Sequence, residues 1–225
     1  MLLARTFAVV VAAGRGERMG GPKQYMLLAG RPLFLWSLQT LAACSEVDGV
    51  VLVVPPGDPD LVRGLTGDFP GLRVVAGGST RQESVWLGLA ALSPDTDWVV
   101  VHDAARPLLK EKDLVAVLAA ARSFGAGVLA VPVKETVKTD GADGLVKQTL
   151  PRDNLWSVQT PQVFRYDWLV AAHRLARRKG VTVYDDAALL EMDGKPVKLV
   201  SGSYDNIKVT TPEDLLVAGI LMGGR

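Results

Sequence analysis

The chain alternates between short, continuously apolar runs and longer stretches in which apolar positions recur every three to four residues. The apolar runs are Phe7-Val11, Gly49-Val54, Arg73-Ala76, Trp98-His102, Gly127-Val131 and Val197-Val200. A strand covered on both faces needs no polar side, so these runs predict strands of a mostly parallel sheet. Helical spacing predicts helices over Leu33-Ala43, Arg81-Ala91, Lys112-Phe124, Tyr166-Arg178, Asp185-Met192 and Thr211-Leu221. Strand–helix alternation of this kind predicts an α/β, Rossmann-like, three-layer fold with helices on both faces of the sheet. Two helix starts carry their own chemistry. Thr80-x-x-Glu83 is a capping-box pattern, and Thr211-Pro212-Glu213-Asp214 supplies a cap, a first-turn proline and two acids.

One segment breaks the alternation. Lys134 to Asn154 is polar, with a glycine- and aspartate-rich turn at 140–144 between two β-like arms, Thr136-Lys138 and Leu145-Thr149. It is too polar for a core and too patterned for a linker, so it predicts a hairpin projecting from the sheet.

Composition narrows the class. At 225 residues the chain can bury a sizeable core, and one domain over 1–225 is expected. The apolar runs are far too short to span a bilayer, and the N-terminus has no signal-peptide layout, so no membrane partner is expected. A net charge of +1 argues against a nucleic-acid partner. Cys44 is the only cysteine, which fits a reducing cytoplasm and excludes an intrachain disulfide. The cluster Arg174, Arg177, Arg178 and Lys179 reads as a solvated helix end that suits the dipole there.

The candidate chemistry begins after the first strand, at Ala12-Ala13-Gly14-Arg15-Gly16-Glu17-Arg18-Met19-Gly20-Gly21-Pro22-Lys23. Glycines here let the backbone bend sharply and approach a ligand, and successive N–H groups of such a turn suit anionic oxygens. Arg15, Arg18 and Lys23 add cations. A strand followed by such a loop suits a nucleoside triphosphate. The dinucleotide fingerprint does not fit, because Gly20 comes one residue late. The Walker pattern is absent, because Pro22 precedes Lys23 and Gln24 follows it.

This loop resembles the signature loop of sugar-phosphate nucleotidyltransferases, and most closely that of the 2-C-methyl-D-erythritol 4-phosphate cytidylyltransferase family of the non-mevalonate isoprenoid pathway. Further similar segments follow in order: Val101-His102-Asp103-Ala104-Ala105-Arg106-Pro107, Thr160-Pro161-Gln162 and Asp205-Asn206-Ile207-Lys208-Val209-Thr210. The resemblance implies attack of a sugar-alcohol phosphate on the α-phosphorus of CTP, with release of pyrophosphate. Such a reaction needs positioning and positive charge more than covalent chemistry. The resemblance makes Arg18 and Lys23 the stabilisers of the transition state. It also implies that the 134–154 arm embraces a second subunit, with Thr136 and Arg152 serving the neighbour's site.

The remaining candidates rest on residue type and place together with the resemblance, without which Arg152 would read as a surface arginine. Ala12, Ala13, Gly14, Arg15 and Gly16, with Gly78 and Ser84, are expected to hold CTP and read cytosine through backbone groups and small side chains. Asp103, at a strand's carboxyl end, suits Mg²⁺ or another divalent cation, or orientation of substrate, and Asp205 is a second candidate ligand. Arg106, Arg152 and Lys208, aided by Thr136 and Thr160, are candidates for gripping the acceptor phosphate and hydroxyls. His102 reads as structural, because an already ionised phosphate needs no base. Three departures from the family pattern stand out. Tyr184 replaces a common small hydroxyl residue, Pro151 an acid, and Val11 a frequent proline. A ribitol-phosphate cytidylyltransferase is the nearest rival reading, and a non-catalytic nucleotide-binding regulator the remoter one.

Overall fold

The computed structural model describes residues 4–223, apart from Arg15, Asp68, Ala142 and the Arg18 side chain. Its strands are β1 (Thr6–Val11), β2 (Leu27–Leu28), β3 (Arg31–Pro32), β4 (Gly49–Val54), β5 (Leu72–Ala76), β6 (Trp98–Asp103), β7 (Ala126–Pro132), β8 (Val137–Asp140), β9 (Val146–Leu150), β10 (Trp156–Arg165) and β11 (Lys198–Ser201). Its α-helices are α1 (Leu33–Ala43), α2 (Pro59–Thr66), α3 (Arg81–Ala90), α4 (Glu111–Phe124), α5 (Tyr166–Lys179), α6 (Asp186–Met192) and α7 (Pro212–Gly223).

Seven strands form the central sheet in the order β11-β7-β10-β6-β1-β4-β5. All its pairings are parallel except those of β10, which runs antiparallel to both β6 and β7. The alternation of side chains along each strand divides the core. Ala8 and Val10 of β1 pack with Leu52 of β4, Phe34 and Leu38 of α1 and Leu114 and Leu118 of α4. Val9, one residue out of phase, packs with Val51 and Val53 of β4, Val85 and Leu89 of α3 and Leu169 of α5. Helices therefore cover both faces, and a third cluster joins Leu28 and Leu33 to Val209 and Ala218 of α7.

The long predicted helices and the six predicted strands form within a residue or two of the expected bounds. The expected Thr211 cap, first-turn proline and two acids are in place at α7, while the Thr80–Glu83 box changes in detail. At α3, Thr80 Oγ1 accepts the Glu83 N–H at 3.0 Å, but the Glu83 carboxylate takes the N–H of Ser79 rather than that of Thr80. At α7 the box closes with an aspartate, since Asp214 Oδ2 accepts the Thr211 N–H at 2.9 Å while Thr211 Oγ1 accepts the N–H of Asp214. β10, α2 and the small β2–β3 pair were not expected. In β10 the register against β7 jumps between Val158 and Gln162, and Pro161 sits inside that irregularity. A residue without an N–H is tolerated there, and it hid the strand from its pattern. β8 and β9 form the projecting hairpin, in which Leu145 and Val146 are exposed. Among the described residues no helix is long and apolar enough to cross a membrane.

Candidate active site

The carboxyl ends of β1, β4, β5 and β6 open onto one cavity of about 890 Å³. Its size is that of a small-molecule site, and its place is where open parallel sheets bind ligands. It is walled by Ala12, Ala13, Gly14 and Gly16 after β1, by Gly77, Gly78 and Ser84 after β5, and by Asp103 at the end of β6. Lys23, Arg81 and Lys208 bring cations to it from three separate segments.

The loop after β1 folds on itself. Gly16 lies at φ +67°, and the Gly16 carbonyl accepts N–H bonds from Met19 at 2.8 Å and Gly21 at 3.3 Å. A Cβ on Gly16 would sit 1.9 Å from the Gly21 carbonyl oxygen, so the fold of this loop requires glycine. Lys23 Nζ donates to the Val209 carbonyl at 2.8 Å, which ties the loop to the segment before α7. Arg15 and the Arg18 side chain, both expected at this site, lie outside the described atoms; the Arg18 backbone belongs to the 3-10 turn Glu17–Met19.

The wall after β5 is equally constrained. Ser84 Oγ donates to the Thr80 carbonyl at 2.9 Å and accepts the Gly78 N–H at 3.1 Å. Its hydroxyl thus fastens the turn that walls the cavity. A Cβ on Gly77 would lie 2.4 Å from that of Ala13, so the two ligand-facing loops touch only because this residue has none.

Asp103 is the electrostatic centre. Its Oδ1 accepts from Arg81 Nε at 2.9 Å and its Oδ2 from Lys208 Nζ at 2.5 Å. Burial alone would raise its pKa, but Arg81 and Lys208 outweigh that and hold it well below the usual carboxylate range. Arg81 is the reciprocal case, lowered by burial and raised further by Asp103 and Asp186. The carboxylate suits a hard divalent cation by donor type, and each oxygen keeps capacity for another contact. Among the described residues no three His, Cys, Asp or Glu gather to hold a metal. A cation at Asp103 would therefore need oxygens from a bound ligand, which a triphosphate supplies. Asp205 lies off the cavity wall and pairs with Lys110 at 2.8 Å.

Beneath Asp103 lies a closed hydrogen-bonded strut. Thr160 Oγ1 accepts the Asp103 N–H at 3.0 Å and lies 3.1 Å from His102 Nδ1. His102 Nε2 is 3.2 Å from the Arg106 carbonyl, which can only accept. Nε2 therefore carries the proton, Nδ1 accepts, and the Thr160 hydroxyl proton is committed to His102. Burial pushes the His102 pKa down to about 4, so the ring is neutral at pH 7. Thr160 is itself buried and does not line the cavity. Arg106 donates to the Asn206 carbonyl at 2.7 Å and is also off the wall, with its pKa lowered by burial.

The structure thus gathers Ala12, Ala13, Gly14, Gly16, Lys23, Gly78, Ser84, Asp103 and Lys208 around one space. It leaves Thr136 and Arg152 exposed on the arm, where Arg152 Nη1 donates to the Lys134 carbonyl. Arg81 was missed from the sequence. A cation in the first turn of a helix opposes the dipole, and that mismatch was the available signal.

A family model for 2-C-methyl-D-erythritol 4-phosphate cytidylyltransferase (IspD) matches residues 6–224. A protein of that name from Pelotomaculum thermopropionicum is 54% identical over 224 residues, spanning 97% of this chain and 94% of the relative. The crystal structure of 4-diphosphocytidyl-2C-methyl-D-erythritol synthase from Anaerococcus prevotii superposes with a TM-score of 0.89 at 32% identity, covering 98% of this chain and 96% of that one. The Thermus thermophilus cytidylyltransferase structure gives 0.79 at 35% identity, with coverage of 96% and 98%. With a signature loop, a cation-lined cavity and a match along nearly all its length, the chain belongs to the 2-C-methyl-D-erythritol 4-phosphate cytidylyltransferase family.

Proposed function

We propose that the cavity is where this cytidylyltransferase joins CTP to 2-C-methyl-D-erythritol 4-phosphate, giving 4-diphosphocytidyl-2-C-methyl-D-erythritol and pyrophosphate. The observation that carries the assignment of roles is the convergence of Lys23, Arg81 and Lys208 on one space floored by a glycine loop. The loop backbone from Ala12 to Gly16 receives the triphosphate, and Gly78 and Ser84 bound the space left for a pyrimidine. Lys23, with Arg18 and Arg15, neutralises charge that builds on the phosphoryl oxygens and the departing pyrophosphate. The acceptor phosphate is already ionised, so no base is required, and the neutral His102 fits a purely structural duty. Lys208 lies beside Asp103 to orient the acceptor, while Thr160 and Arg106 hold Asp103 and the 206 segment from behind. A Mg²⁺ bound by Asp103 and triphosphate oxygens would add charge neutralisation at the reacting phosphate.

The arm supplies the rest. Thr136 and Arg152, which do not line the cavity of their own chain, serve the acceptor subsite of a second copy, so the working unit is a homodimer. The single, buried Cys44 suits a reducing cytoplasm. Pyrophosphate release with CTP and each candidate acceptor tests the reading. Turnover with 2-C-methyl-D-erythritol 4-phosphate well above that with ribitol 5-phosphate is expected; the reverse order would transfer the assignment to the polyol rival.

A further inference from the structure

The ion pair at Asp103 does not end at the cavity wall. Arg81 Nη1 donates to Asp186 Oδ2 at 2.7 Å, while Arg81 Nε serves Asp103. Asp186 is 1% exposed, and its other oxygen lies 3.0 Å from Nε2 of His173, which is fully buried. The Trp86 ring flanks that histidine, with centroids 6.3 Å apart. The chain of contacts therefore runs Lys208, Asp103, Arg81, Asp186, His173, drawing on five segments: the irregular segment before α7, β6, α3, α6 and α5.

Resting on the functional reading above, we propose that Asp186 is a positioning residue for cytidylyl transfer. It touches no reacting group. It holds one arm of the Arg81 guanidinium, so that only the Nε edge faces Asp103 and the Asp103 Oδ2 edge is left for Lys208. A guanidinium is a rigid planar fork, and fixing one prong fixes the direction of the other. Two buried carboxylates and two cations also compensate one another. Removing the Asp186 charge leaves a surplus cation beside Asp103, and Arg81 then competes with Lys208 for the same carboxylate. Misplacement of a positioning charge by about 1 Å can lower turnover on the order of 100-fold.

A double-mutant cycle in kinetics tests this, because coupled residues are non-additive whereas independent ones multiply. Asp186→Asn should lower kcat by at least about 10-fold while the KM for CTP moves less than about 3-fold. In an Arg81→Met background the same substitution should change kcat less than about twofold. Equal fold losses in both backgrounds, or near-wild-type kcat for Asp186→Asn alone, would overturn the proposal. If Asp186→Asn does not fold, His173→Gln is read in the same two backgrounds, with a loss expected only where Arg81 is present. A crystal structure of the variant gives a readout free of turnover. The Asp103–Lys208 pair should depart from its 2.5 Å separation, and unchanged Arg81–Asp103 and Asp103–Lys208 contacts would equally overturn it. A wild-type enzyme inactive with CTP and every acceptor would instead strike the functional reading, leaving the crystallographic arm to decide on the relay.

Discussion

Lowering the pH from 7 to 5 should destabilise this protein through one buried ring. His102 is fully buried, with Nδ1 accepting from Thr160 and Nε2 facing the Arg106 carbonyl. Its pKa falls from 6.5 to about 4 on folding. Between those values the unfolded chain binds a proton that the folded chain refuses, so stability drops as pH falls. At pH 7 little of this is felt, because the unfolded histidine is mostly neutral too. At pH 5 the unfolded ring is almost wholly charged and the folded one still neutral, and linkage gives a loss of about 2 kcal/mol relative to pH 7. The loss grows to about 3 kcal/mol once the pH is below both values. Urea unfolding followed by tryptophan fluorescence measures it directly. The second histidine, His173, is present in both wild type and His102→Gln, so the comparison isolates the first. Wild type should lose about 2 kcal/mol more than the variant between pH 7 and 5. Parallel pH dependences would refute the reasoning and mean that the ring is solvated or paired differently.

Other outcomes are expected at the site and the arm. Lys23→Ala and Arg18→Ala should each lower kcat by at least about 100-fold at saturating CTP, with urea midpoints close to wild type; near-normal turnover would remove the loop from the transition state. CTP should be used far better than ATP or GTP, and comparison of kcat/KM values checks it. Inactive Lys23→Ala and Arg152→Ala homodimers, dissociated, mixed and reassociated, should regain roughly a quarter of wild-type activity. Half the random pairs are mixed, and each mixed pair has one intact site if Arg152 works across the dimer. Verified exchange without recovery would assign Arg152 to its own subunit.

The local part of this fold was legible and the long-range part was not. β1, β4 and β6 announce themselves because strands covered on both faces are apolar throughout, and Gly16 marks a bend whose backbone excludes a Cβ. β10 escaped because Pro161 and the register jump erase the period by which a strand is read. The site shows the same division. Lys23 and Asp103 were visible as members of contiguous motifs. Arg81 was not, since its importance lies in Asp103 and Asp186, 22 and 105 residues away along the chain. Thr160 was visible as part of a motif, but the commitment of its hydroxyl to His102 belongs to geometry alone.

The bond from Lys23 to the Val209 carbonyl has a consequence for the order of synthesis. The Val209 N–H in turn donates to the Ala105 carbonyl at 2.8 Å, so a segment made after both stitches together the loops that follow β1 and β6. The Val209 strap follows Lys23 by 186 residues, so it leaves the ribosome well after the glycine loop. A nascent chain can therefore assemble its sheet before the bond from Lys23 to Val209 is available. The tie forms only once residue 209 has been made, and a chain cut short before it keeps the sheet strands but lacks that hold on Lys23.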